Sequence, residues 1–509
     1  MLIFWMLGCT PVNSDADETG SGGVDTADSG DTADTGEPTG PADLEIGGVA
    51  EMTTGEGDVS VTVAKKGTYI VQLVSLATAQ GREYPYGDAA AEAVMAEPEP
   101  AGDRPPRAPP RSGPPLSAVA EGDERAFTVY DGYDYVTVTA KAMAVTDAVV
   151  LWEDQTTPNG LGSLDQEVVD GVLASVEELV LPRERAIFGQ ESDVDGDGKI
   201  AILLSYTVNM YGAVAYVTQC DIGRTAGCGS SGNNGEIVYL GVPDPEGSYG
   251  TVNGITETVA HEFNHLIYGW HRFVAQDRET AEENIYITEG MSALAQDLTG
   301  YNNGNQYVWA AALDTTDYLG PTASTDFVSV NDFLRGEGYY DADRDGTLRG
   351  ASYLYLRYLF EQAGGMHVES DGTQVDDGGM AFLHAWFDSP ALGEETVADV
   401  TGLALEDTIM DWYTALVCTG LVETGDPRWS YQVREMDPVT GYEYGVDPYD
   451  TIHDWLTLTG PPIQKLSRAD ESIRAGGVEY IEVKLDEGEA FSLAIEPRAE
   501  ARARIIRVE

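Results

Sequence analysis

The sequence is short of positive charge, of cysteine and of long apolar runs, and each shortage excludes something. Lys plus Arg number 28 against 87 Asp plus Glu, a formal net charge of −59. So acidic a chain repels phosphate backbones and anionic headgroups, so nucleic acid is not an expected partner and a membrane would be reached only through an anchor. Four cysteines in 509 residues cannot staple a chain of this size, so stability must come from an apolar core. No stretch approaches the roughly 20 apolar residues needed to span a bilayer. With 42% hydrophobic and 23% charged residues the composition is otherwise that of a globular protein, and no internal repeat is visible.

What is present divides the chain into regions. Residues 1–8, MLIFWMLG, are apolar and run into Cys9, which looks like the end of a bacterial lipoprotein signal with its lipid-accepting cysteine. The layout lacks a basic opening, since the first basic residue is Lys65. Residues 10–43 are Asp, Thr, Gly and Ser with almost nothing apolar and read as a solvated acidic tether. Residues 44–124 alternate in short runs such as VSVTV and TYIVQLVS, a strand pattern, interrupted by a Pro-rich linker at 97–115. From 125 to 460, strand-like and helix-periodic segments mix in an order that suits an α+β fold. Residues 461–509 return to strand-like text and read as a small β module. Cys220 and Cys228 flank a Gly-containing loop, which in an exported chain favours a local disulfide and leaves Cys418 as a buried thiol.

The chemistry concentrates in ITETVAHEFNHLIYGWHRF, residues 255–273. On a helix His261 and His265 lie one turn apart on the same face, so both imidazoles can meet one cation, with Glu262 beside them. Zinc suits this HExxH arrangement, because imidazole is a good ligand and an open position is left for a water whose proton Glu262 accepts. Two residues compete as third ligand. His271 stands six residues after His265, as in metzincins, but that pattern needs Gly at the place of Tyr268, and Gly269 comes one residue late. Glu289 lies 24 residues after His265 and opens a run in which Met291, Leu294, Ala295 and Leu298 repeat at helical spacing, as in gluzincins. The spacing favours Glu289, with Glu279, Glu282 and Glu283 as further carboxylates.

AHEFNHLIYGWHR, TEGMSALAQDL and RGASYLYLRYLFEQAGG, in that order, resemble the hyicolysin family of bacterial gluzincin zinc metallopeptidases, with a looser likeness to immune-inhibitor-A-type secreted proteases. The likeness spans residues 125–460 and takes in SDVDGDGKIAILL and GEIVYL upstream. It implies that this segment is a zincin-like metallopeptidase domain, lying between the flanking β-rich regions read above, with zinc held by His261, His265 and Glu289. Glu262 would be the general base in an exported, monomeric enzyme acting on protein or peptide substrates. Tyr286, Tyr353, Tyr355 and His384 are candidates for the donor that stabilises the transition state.

Two acidic loops carry a second expectation. Asp193, Asp195 and Asp197 in DVDGDGK, and Asp341, Asp343 and Asp345 in DADRDGT, resemble the first half of a calcium loop. Neither is a full EF-hand, since the twelfth positions are Leu204 and Ser352 where a bidentate Glu is required. The alternative to an enzyme is a cation-binding surface or adhesion protein with a peptidase-like fold and no turnover. Retention of Glu262 beside both histidines favours the enzyme.

Overall fold

The computed structural model describes residues 41–55, 57–79, 82–87, 119–157, 164–223, 228, 231–242, 250–278, 283–302, 329–335, 345–432, 434–452, 456–465 and 471–509. Cys9, Asp341, Asp343, Glu279, Glu282, the 97–115 linker and nearly all of the acidic tether lie outside these residues. Within them the chain forms two compact units, one holding residues 119–421 and 426–462, the other 41–87, 422–425 and 463–509.

The β-rich region expected at 44–124 and the β module expected at 461–509 both supply strands to the second unit, where they share one sheet. Strand Gly67–Ser75 is buried along almost its whole length and therefore needs a hydrogen-bonding neighbour on each side. Both come from the far end of the chain: Val478–Leu485 and Ala501–Arg507 pair with it antiparallel. Val49–Glu51 and Ile463–Lys465 complete five strands, and Thr53–Thr54, Asp58–Thr62 and Ala490–Ala494 form a second sheet of three. Val59, Tyr69, Val71, Leu73, Ile481 and Ile505 belong to one core there.

The first unit is built on a six-stranded mixed sheet in the order Ala215–Tyr216, Glu236–Leu240, Ile200–Leu204, Val149–Asp154, Tyr135–Val145, Glu124–Tyr130. Ile200–Leu204 runs parallel to both of its neighbours, and the remaining pairs are antiparallel. Strand Tyr135–Val145 alternates exposed and buried residues over much of its length, while Glu236–Leu240 is buried throughout. Phe127 and Trp152 meet edge to face in this core at 5.2 Å.

Helix Val252–Gly269 is the central element of the helical part. Thr251 caps it, its hydroxyl accepting from the Gly254 amide at 3.1 Å, and no proline interrupts the 18 residues. Every residue from Ile255 to Gly269 is buried. The helix packs on helices Gln166–Ser175, Leu181–Phe188 and Ile285–Leu298 and on strand Glu236–Leu240. Asn284 caps Ile285–Leu298 by accepting from the Tyr286 amide at 2.9 Å. That helix lies against Asp345–Gln362, and Gly290 sets the approach: a Cβ there would stand 2.3 Å from Ser352 Oγ and 2.9 Å from its backbone carbon. Cys220 and Cys228 are disulfide-bonded, and Cys418 is buried in helix Leu405–Cys418.

Candidate metal centre

Helix periodicity puts His261 and His265 on one face, and the capped helix Ile285–Leu298 brings Glu289 to them. One donor atom from each of the three lies within 4.8 Å of the other two. His261 Nε2 is 3.2 Å from Glu289 Oε2, His265 Nε2 is 3.6 Å from Glu289 Oε1, and the two imidazole rings are 4.9 Å apart. All three side chains are buried.

The electrostatics favour metal binding. Burial, reinforced by the neighbouring His265, pushes His261 down to about 3, and burial with the Arg349 charge does the same to His265, so both rings are neutral near pH 7. Gln296 Oε1 lies 2.9 Å from His261 Nδ1 and accepts its proton in a hydrogen bond, which leaves a lone pair on Nε2. That lone pair faces a carboxylate oxygen at 3.2 Å, an arrangement of two acceptors that a cation between them would relieve. Zinc bonds of about 2.0–2.1 Å in a tetrahedron require donors roughly 3.3 Å apart, close to the separations observed. Among the described residues Glu289 Oε1 is buried without a hydrogen-bond partner, as expected of an oxygen reserved for a metal. The donor set therefore fits zinc.

Glu262 follows His261 on the same helix and is 2% exposed, with Oε2 buried and without a hydrogen-bond partner among the described residues. Burial raises it to about 7, against the pull of His261 and Arg349. A carboxyl so placed exchanges a proton near neutrality, as a general base requires.

The other candidates fall elsewhere. His271 sits on the π-helical turn Trp270–Val274, where its Nε2 is 2.9 Å from the Gln190 carbonyl oxygen. Glu283 accepts from Tyr268, from Arg272 and from the Gly393 amide and is committed to that buried network. Tyr353 donates to Asp297 at 3.0 Å, Tyr355 shares a hydrogen bond with Thr408 at 2.8 Å, and His384 meets the Ala186 carbonyl at 3.1 Å. Tyr286 is buried in the first turn of its helix.

Four residues beyond the motif support the site. Gln296 stands seven positions after Glu289, two helical turns along the same face, a spacing legible in advance. Arg349 donates to Glu289 Oε2 and, through Nε, to Asp345 at 2.7 Å. Asp345, expected in a calcium loop, is instead a buried residue of helix Asp345–Gln362 that pairs with Arg349 four residues on. Nothing in the spacing of Arg349 from the zinc motif points to its role. Ser292 donates to Asn264 at 3.3 Å and links the two ligand-bearing helices.

The first acidic loop is also rearranged relative to expectation. Asp193 and Asp195 gather with Glu236; Asp197 donates its amide to Asp195 Oδ1 at 3.2 Å, and its own Oδ1 accepts from the Lys199 amide at 2.8 Å. Burial and then the Asp197 and Glu236 charges push Asp195 up to about 7.

No family model and no curated protein matches the chain. Among solved structures it is similar to an M1 zinc metallopeptidase from Deinococcus radiodurans, at 15% identity and a TM-score of 0.28 over 57% of this chain and 51% of that one. A point mutant of the Deinococcus radiodurans enzyme is matched at 13% identity and a TM-score of 0.30, with the same coverage. The chain thus spans about half the length of these structures.

Proposed function

We propose that this chain is a zinc-dependent endopeptidase of hyicolysin type, exported and anchored through Cys9, that hydrolyses peptide bonds in extracellular proteins. The observation that carries the reading is the convergence of His261, His265 and Glu289 beside a buried Glu262. When bound, zinc supplies a Lewis acid for the scissile carbonyl and makes water a competent nucleophile at neutral pH. Glu262 takes the proton of the attacking water and returns it to the departing amine, work suited to a carboxyl poised near 7. Gln296 holds the His261 ring, and Arg349, itself held by Asp345, fixes the Glu289 carboxylate. The Cys220–Cys228 disulfide supports an oxidising compartment.

The test compares zinc content and casein hydrolysis of the full chain with those of Glu262→Ala, using 1,10-phenanthroline as a control. The parent is expected to hold one zinc and cleave casein, and the variant to keep zinc with activity reduced by about 10²–10⁴-fold. Zinc in both with cleavage by neither, even after trimming of the N-terminal region, would replace the peptidase with a non-catalytic cation-binding surface protein.

A further inference from the structure

The parallel pairing of strands Ile200–Leu204 and Glu236–Leu240 sets Glu236 opposite Ile200, at the end of the sheet where the DVDGDGK turn enters. Glu236 is 2% exposed. Its Oε1 accepts from Ser192 Oγ at 2.5 Å and from the Val194 amide at 3.1 Å, so the residues flanking Asp193 draw the carboxylate against that loop. The other oxygen, Oε2, is buried and has no hydrogen-bond partner among the described residues. Gly235 permits the approach, because a Cβ there would stand 2.9 Å from Asp195 Oδ2.

Three carboxylate oxygens thus lie within 4.8 Å of one another, one of them on a fully buried side chain. Like charges at that distance repel, and a buried oxygen left without a donor adds a desolvation cost. Two bases lie nearby, and the Arg125 charge attracts Asp195 across the cavity they share, but both bases donate elsewhere. Lys199 Nζ donates to the Thr146 carbonyl and Arg125 Nη2 to the Asn233 carbonyl at 2.7 Å, and among the described residues neither forms an ion pair with the three acids. A bound cation resolves both costs. An all-oxygen donor set on an irregular loop suits calcium, which accepts mixed mono- and bidentate carboxylates, better than zinc or the strictly octahedral magnesium.

We propose that Asp193, Asp195 and Glu236 hold a calcium ion that fastens the DVDGDGK loop to the start of strand Glu236–Leu240. The site is independent of the peptidase reading and shares no residue with the zinc ligands. Trp152, which lines the same small cavity as Asp195 and Glu236, supplies a sensitiser for terbium luminescence.

The experiment uses the full chain, with terbium and calcium as probes and magnesium as a control. Terbium luminescence excited through tryptophan is expected to appear and to be competed away by calcium. About 1 mM calcium should raise Tm by ~3 °C or more, and magnesium much less. Glu236→Gln and the exposed-site Asp193→Asn should each weaken binding at least tenfold while zinc content is unchanged. Should Glu236→Gln fail to fold, Asp193→Asn carries the test alone. The proposal is overturned if the parent gives neither luminescence nor calcium stabilisation, or if Asp193→Asn binds as tightly as the parent.

Discussion

Gln296→Leu separates a structural from a metal-directing role for the side chain that meets His261. In the parent, Gln296 Oε1 lies 2.9 Å from His261 Nδ1 in a buried setting, which fixes the proton on Nδ1 and keeps Nε2 open. Leucine keeps much of the volume and removes the acceptor. Left in place, the orphaned Nδ1–H would cost about 1–3 kcal/mol. The imidazole has an escape, because Glu289 Oε2 is 3.2 Å from Nε2 and can accept a proton moved there. The zinc-free protein therefore loses little stability, under about 1 kcal/mol, while the competent tautomer becomes the disfavoured one. Zinc affinity should fall about 10–100-fold, the usual effect of losing a ligand's hydrogen-bond partner and equal to roughly 1.4–2.8 kcal/mol. Gln296→Glu, which restores an acceptor, should recover most of it. The assay is zinc competition against a chelating dye near pH 7.5, paired with urea unfolding of the zinc-free chain. Affinity of the leucine variant within twofold of the parent would refute the reasoning, as would an equal loss in both measurements.

Gly290→Ala places a methyl carbon 2.3 Å from Ser352 Oγ and 2.9 Å from backbone, so the two helices must separate; a loss of about 1–3 kcal/mol in urea unfolding, with weaker zinc binding through the adjacent Glu289, is expected. Arg357→Met leaves the buried Asp297 and Glu361 carboxylates without their shared cation and should cost about 3–5 kcal/mol, read from the unfolding midpoint. Asp221 is raised from 3.8 to about 7 by burial, so between those values the folded chain retains a proton that the unfolded chain releases, and stability falls as pH rises. Asp221→Asn should flatten this decline, which amounts to about 4 kcal/mol at most, in unfolding measurements from pH 4 to 8; parallel curves for parent and variant would count against it.

Legibility in the sequence followed the distance over which each feature is specified. The pair His261 and His265 could be read because four-residue spacing is a property of one helix. The third ligand lies outside that helix, and only a longer spacing favoured Glu289 over His271. His271 is nearer in sequence, but the helix loosens into a π turn at Trp270 and the ring meets the Gln190 carbonyl, while Glu289 returns on the next helix. Gln296 was within reach of helical spacing, whereas Arg349 depends on how Asp345–Gln362 packs, which no local pattern encodes. The same limit explains Asp345, whose acidic neighbours in sequence suggested a loop while its partner is an arginine one turn along. Strand Gly67–Ser75 reads plainly as a strand, yet its neighbours at Val478–Leu485 and Ala501–Arg507 are some four hundred residues away, so two β regions looked separate.

Arg349 bears on how the metal centre is kept assembled. A carboxylate buried beside two neutral imidazoles is costly without a counter-charge, and in Glu289 that charge is supplied on Oε2 by Arg349 while Oε1 has no hydrogen bond among the described residues. An arginine fixed only to Glu289 would itself become a buried, uncompensated cation whenever the carboxylate turned to a metal. Asp345 prevents this, because it holds Nε of Arg349 at 2.7 Å on the opposite side. The group Asp345, Arg349, Glu289 therefore keeps the arginine paired, carries one net negative charge for a cation to meet, and still leaves one oxygen of Glu289 to donate. Each link is buried, so removing Asp345 should act on metal affinity through Arg349 although Asp345 is not among the three candidate ligands.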